Sequence, residues 1–235
     1  MTYGYNVDVF DKGGHGLDQQ HVYDHARGLV GDLVLERQLT ETGRRPIIFI
    51  AHSLGGIVVK AALIHSDSCR VGSLESHHSI AVSTHGIFFM GTPHQGGSGV
   101  ALGRALVNIA SVFVKADSRI LSDLERDSQL LHTQLGLYNA ISSSYVTKFA
   151  YETLETPTLF GNSIMVVPIS SAVVPGAVDA EPIAINANHR DMVRFTGRED
   201  GGYKKVQGHL RIMIKSAVKN AEENWRIDDG KKRGM

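Results

Sequence analysis

Apolar residues in this chain gather in short blocks that end abruptly at turn-forming residues. "PIIFIAH" (46–52), "HGIFFMG" (85–91), "VTKFAYE" (146–152) and "SIMVVP" (163–168) are brief, nearly continuous apolar runs, the pattern of strands buried on both faces. "MTYGYNVDVF" (1–10) alternates and predicts a further strand. Between these runs the period lengthens. From Asp18 onward Val22, Ala26, Leu29 and Leu33 recur at helical intervals, and Gly43 and Pro46 in "TGRRP" stop that helix. "LGGIVVKAALIH" (54–65) predicts a second helix. In the last third, Val206, Leu210, Met213 and Ala217 share one face of a long helix that should dock on a sheet. Strands separated by helices imply the α/β class, with a mainly parallel sheet carrying helices on both faces.

Residues 97–145 contain no convincing strand, but they include helical spacing at Leu131, Leu135 and Tyr138. They read as a helical insertion, either a cap over a site or a packing helix. Residues 1–225 fit one domain, and "RIDDGKKRGM" (226–235) reads as a polar, frayed tail.

Composition narrows the function classes. Twenty-four basic residues balance 24 acidic ones in 235, so no global field favours nucleic acid, and a small or neutral ligand is the expected partner. The single cysteine, Cys69, forms no internal disulfide. No run approaches the roughly 20 apolar residues of a spanning helix, so membrane contact is expected to be peripheral. The start of the chain has no basic head or long apolar core, and an intracellular, cytoplasmic location is the default expectation.

The chemistry concentrates where the strand 46–52 turns into the helix that follows. "AHSLG" (51–55) is a nucleophile-elbow pattern with Ala51 where glycine is usual. The turn brings Ala51 and Gly55 together around His52 and Ser53, so both must be small, and Gly56 leaves room for the helix to approach the sheet. Ser53 is the candidate nucleophile. A serine hydroxyl needs a base, usually histidine, itself oriented by a carboxylate. Of twelve histidines, only His189 and His209 follow the expected strands, and His209 lies inside the amphipathic helix. His189, in the polar loop "INANHRDM", is the candidate base.

The acid has two candidate places. Glu152 closes the strand "VTKFAYE", while Asp179 and Glu181 lie on a later loop; "VVPISSA" (166–172) offers Ser170 and Ser171 where a carboxylate is usual. Glu155 reads as solvated, and Asp191 breaks the order serine, acid, histidine. The Leu54 backbone N–H is the expected oxyanion donor. A second donor normally comes from a His-Gly loop well upstream, and Ser53 is early for that, so a fragment or a shortened form is expected. The His-Gly pair in "GGHG" (13–16) reads as an ordinary turn, and His94 in the rigid turn "GTPHQGG" (91–97) as structural.

Taken in order, "MTYGYN", "DHARGLVGDL", "RRPIIFIAHSLGGIVVKAAL", "GIFFMGTPHQGG", "FAYET", "VVPISSA" and "ANHRDMVRF" resemble the lipase-like serine esterases of the serine active site-containing group and its fungal relatives, some of which carry this domain ahead of a NACHT module. The resemblance implies an α/β-hydrolase fold lacking its amino-terminal strands, and it matches Ser53, His189 and Glu152 to nucleophile, base and acid. It implies hydrolysis of a small-molecule ester or lipid without metal or organic cofactor, and association with mitochondria or the endoplasmic reticulum in some relatives. Two alternatives stand beside it: a non-catalytic module for ligand sensing or protein contact, and a piece of a larger signalling protein. A sheet edge left open by missing strands is expected to permit a homodimer.

Overall fold

The computed structural model describes residues 2–3, 19–70, 72, 74–94, 99–113, 136–158, 161–174 and 182–234. All but residues 2–3 of the expected strand at 1–10, the "GGHG" turn, Leu131, Leu135, Asp179 and Glu181 lie outside these residues.

Four parallel strands form the main sheet in the order β1 (Ile47–His52), β2 (Thr84–Met90), β3 (Val146–Glu152) and β6 (Pro182–Ile185). Helices α1 (Gln19–Leu39) and α2 (Leu54–Ser68) flank β1, and the short α3 (His78–Ser83) leads into β2. Helix α4 (Gly99–Phe113) and a short α5 over 136–142 lie between β2 and β3. A two-stranded antiparallel hairpin, β4 (Thr156–Pro157) with β5 (Ser163–Ile164), and one turn of helix, α6 (Ile169–Ala172), separate β3 from β6. Helix α7 (Gly201–Arg233) closes the chain.

Alternation along β2 divides the core. Ile87 and Phe89 point to one face, against Leu29 and Val30 of α1, Ile57 and Leu63 of α2 and Leu106 and Ile109 of α4. Phe88 and Met90 point to the other face, with Ile183, Ile185, Met192 and the α7 residues Val206 and Met213. All of β2 is buried, as a central parallel strand should be. The predicted α7 face packs as the spacing requires, with Leu210 partly buried beside Val206 and Met213. Helix α4 buries Leu102, Ala105, Leu106 and Ile109 and donates from Asn108 to the carbonyl of Val166, so this part of 97–145 packs as core and is not a detached cap.

Two expectations are corrected. "SIMVVP" adds no strand to the parallel sheet; only Ser163 and Ile164 are extended, and they pair with Pro157 and Thr156. The strand beside β3 is "PIAI" (182–185), whose single proline sits at its first residue, where no ladder donor is lost. The second correction concerns 226–235, which continues α7 through Arg233 in a single helix of 33 residues. Several of its polar residues are partnered. The buried Asp228 accepts from His78 at 3.0 Å, Asp229 receives both terminal nitrogens of Arg44, and Lys232 meets Glu75 at 2.9 Å. Trp225 donates to Ser83 Oγ and carries the Arg44 guanidinium 4.7 Å above its ring. Charges that read as a solvated tail instead tie the helix to α3 and to the start of β1.

Among the described strands β1 lies at an edge, with Ile50 57% exposed. No described helix is long and apolar enough to cross a membrane.

Candidate active site

The carboxyl ends of the strands converge on Ser53. Strand β1 stops at His52, α2 begins at Leu54, and Ser53 between them holds φ 52° and ψ −129°. Left-handed backbone at a non-glycine residue costs about 1–3 kcal/mol and persists only where the surroundings impose it. They do so here. The Ser53 N–H donates to Met90 O at 2.9 Å, extending the β1–β2 ladder by one residue, and its carbonyl accepts from Gly56 N–H and from Thr92 Oγ1. A Cβ on Gly56 would come within 2.2 Å of Thr92 Oγ1, so glycine there lets α2 sit against the turn after β2.

His189 Nε2 lies 2.8 Å from Ser53 Oγ, and His189 Nδ1 lies 3.3 Å from Glu152 Oε2. Both His189 and Glu152 are buried, and Ser53 is 8% exposed. Each partner is held in turn. Glu152 Oε1 accepts from Val167 N–H at 2.7 Å, and the His189 backbone N–H donates to Thr156 Oγ1 at 3.0 Å. The hairpin after β3 and the residues that follow it therefore hold both groups, Thr156 from β4 and Val167 from beyond β5. Because β6 pairs directly with β3, Glu152 ends the penultimate strand of the described sheet.

Three further contributors were not foreseen in these roles. His52, expected only as part of the elbow, donates from Nε2 to the His189 carbonyl at 2.9 Å, and the two rings lie 4.9 Å apart. Burial, and then the neighbouring His189, push the His52 ring down to about 4, so it is neutral at pH 7 and acts as a brace. Gly91 holds φ 54°, and a Cβ there would stand 2.9 Å from both His189 Cε1 and Met192 Sδ. The sequence signal for it was present, a glycine ending a buried strand just before "TPH". Thr156 carried no such signal. Leu54, the first residue of α2, places its N–H at the positive end of that helix, where the first amides have no intrahelical acceptor.

His94, in the turn after β2, is buried and apart from the Ser53–His189–Glu152 chain. His209 lies in α7, with its ring 6.3 Å from Phe88.

Over 193 residues, or 80% of its length, the chain is 30% identical to Protein SERAC1 of Bos taurus and of Homo sapiens. Over 157 residues it is 27% identical to Protein SERAC1 of Mus musculus. The chain spans about a quarter of the length of these curated relatives, 27% for the first two and 22% for the mouse protein. No family model matches, and no solved structure matches.

Proposed function

We propose that the chain is a serine hydrolase of α/β-hydrolase fold that cleaves carboxylic esters of small molecules or lipids. The observation that carries this reading is the continuous hydrogen-bonded line from Ser53 Oγ through both His189 nitrogens to Glu152, anchored on a serine with left-handed backbone. In this reading His189 Nε2 takes the Ser53 proton as Oγ attacks the ester carbonyl, and Glu152 stabilises the imidazolium that forms. The Leu54 N–H at the start of α2 faces the developing oxyanion. His189 then gives its proton to the departing alkoxide, leaving an acyl-serine and a free alcohol. Water, deprotonated by the same ring, attacks the acyl-serine and releases the acid, and the proton returns to Ser53 Oγ. Every proton is accounted for by His189, so the reaction calls on no metal or organic cofactor.

The similarity to SERAC1 fits a hydrolase-like chain without naming a substrate. The direct test is covalent labelling of the folded protein with a fluorophosphonate probe, which reacts with an activated serine. Labelling that vanishes in Ser53→Ala and in His189→Ala is the expected result. A folded wild-type chain that takes up no label would sink the enzymatic reading and favour a binding module that retains the hydrolase architecture. Size-exclusion chromatography of the same sample tests the homodimer expected through the β1 edge, and a clean monomer counts against it.

A further inference from the structure

A second buried group of polar side chains lies away from Ser53. Lys60, on α2, is 5% exposed and sits inside the core. Its ammonium stands 5.5 Å from the centre of the Phe89 ring and 5.3 Å from that of Tyr138. No carboxylate among the described residues pairs with it. Beside it is His94, 1% exposed, wedged edge-on between Phe89 and Phe149 at 4.6 and 4.7 Å. Neither ring nitrogen of His94 has a hydrogen-bond partner among the described residues. Buried polar groups almost always find partners, and one left without them destabilises the fold.

Lys60, His94, Phe89, Phe149, Tyr138 and Val174 line a cavity of about 440 Å³ between α2, α5 and β3. That is about three times the volume of a cavity that accepts benzene. Its walls combine aromatic and aliphatic side chains with one cation, one imidazole and the hydroxyl and amide groups of Asn139, Ser142, Thr147 and Asn220.

We propose that this cavity binds a monocarboxylate with an apolar body, its carboxylate set against Lys60 and His94 and its hydrocarbon against Phe89, Phe149 and Val174. A monoanion suits the site because one ammonium faces it; a dianion would bring a second, uncompensated charge beside Phe89 and Phe149. The apolar walls select an amphiphile over a bare inorganic ion. Burial pushes the Lys60 ammonium down to about 7 and holds His94 well below its usual range, with Lys60 adding to the effect at His94. A carboxylate in contact would draw Lys60 back up and keep it charged. The site is independent of the esterase reading and stands if that reading fails.

The test is calorimetric titration of the full chain with octanoate and, separately, with octanamide, which has the same body without the charge. Saturable octanoate binding is expected, with octanamide at least about tenfold weaker and Lys60→Met reducing octanoate affinity by at least about tenfold. Ser53→Ala should bind octanoate like the wild type, which separates this cavity from the Ser53 site. Equal binding of the acid and the amide, no heat from octanoate with folded protein, or unchanged affinity in Lys60→Met would each overturn the proposal. Inorganic phosphate binding as tightly as octanoate, with the same dependence on Lys60, would overturn the amphiphile assignment. Should Lys60→Met fail to fold, ring 15N resonances of His94 in the wild type decide. They must shift with octanoate and stay fixed with octanamide, and resonances indifferent to octanoate refute the site.

Discussion

Two histidines of this chain are buried to the same degree and treated in opposite ways. His189 has a partner at every polar position, with Ser53 and Glu152 on its ring, Thr156 on its backbone N–H and His52 on its carbonyl. His94, equally enclosed, stands nearly perpendicular to two phenyl rings and has neither ring nitrogen paired among the described residues. A satisfied buried network holds a ring in one orientation, which is what proton transfer needs. An unsatisfied one stores unfavourable free energy that a ligand of matching charge can relieve. Burial alone therefore does not tell a positioned histidine from a receptive one; the partners do.

The contrast breaks first, and most visibly, at His189. His189→Ala should lower ester hydrolysis by a factor on the order of 10⁴, measured as kcat/KM on a chromogenic ester, with Ser53→Ala similar and the double variant scarcely worse. Stepwise additive losses would mean that the two side chains do not act as one unit. At Lys60 the sign reverses, because replacing a buried cation that has no carboxylate partner among the described residues should strengthen the fold. The folded pKa is depressed to about 7 from 10.5, so between those values the unfolded chain binds more protons and stability rises with pH. Lys60→Met should accordingly stabilise the ligand-free protein at pH 7 by on the order of 3 kcal/mol, with the gain shrinking toward pH 10. Urea titrations at the two pH values check this, and a destabilised variant at pH 7 would show that the ammonium is already compensated.

Gly91→Ala probes the fit around the satisfied ring. Its positive φ and the 2.9 Å approach to His189 predict a loss of about 1–3 kcal/mol together with impaired labelling of Ser53. Retained labelling at reduced stability would mean that the turn yields while the ring stays in place. The smallest expected change is at His94. His94→Phe should raise thermal stability by about 1 kcal/mol by removing two unpaired polar atoms from an aromatic cage. A fall would indicate that the ring nitrogens are satisfied in solution.

How much of this was legible in the sequence depends on how local each signal is. Ser53 could be singled out as a candidate because the elbow pattern is encoded within five residues, and α7 was legible because its apolar face repeats over many turns. His189 was singled out by chain order. Glu152 stayed in competition with Asp179 because strand adjacency is a long-range property: the apolar run 163–168 looked like the next strand, whereas the shorter "PIAI" pairs with β3. The 226–235 segment misled for the converse reason. Its charges have partners at Arg44, Glu75 and His78, which lie far away in sequence and leave no periodic trace. Lys60 and His94 each lay in plain motifs, but their shared cavity exists only once β2 has placed Phe89 beside both.

The Ser53–His189 hydrogen bond joins residues 136 positions apart, and the Glu152–His189 contact spans 37. Parallel pairing of this kind rewards the chain only after long loops have closed, which makes such contacts late events in folding. Helices α1 and α2 and the β1 end of the sheet can gather early, but the bond to Ser53 must wait for β6 and the loop after it. Regained reactivity of Ser53 during refolding would then lag behind the return of helical signal, making the serine a clock for the last step of assembly.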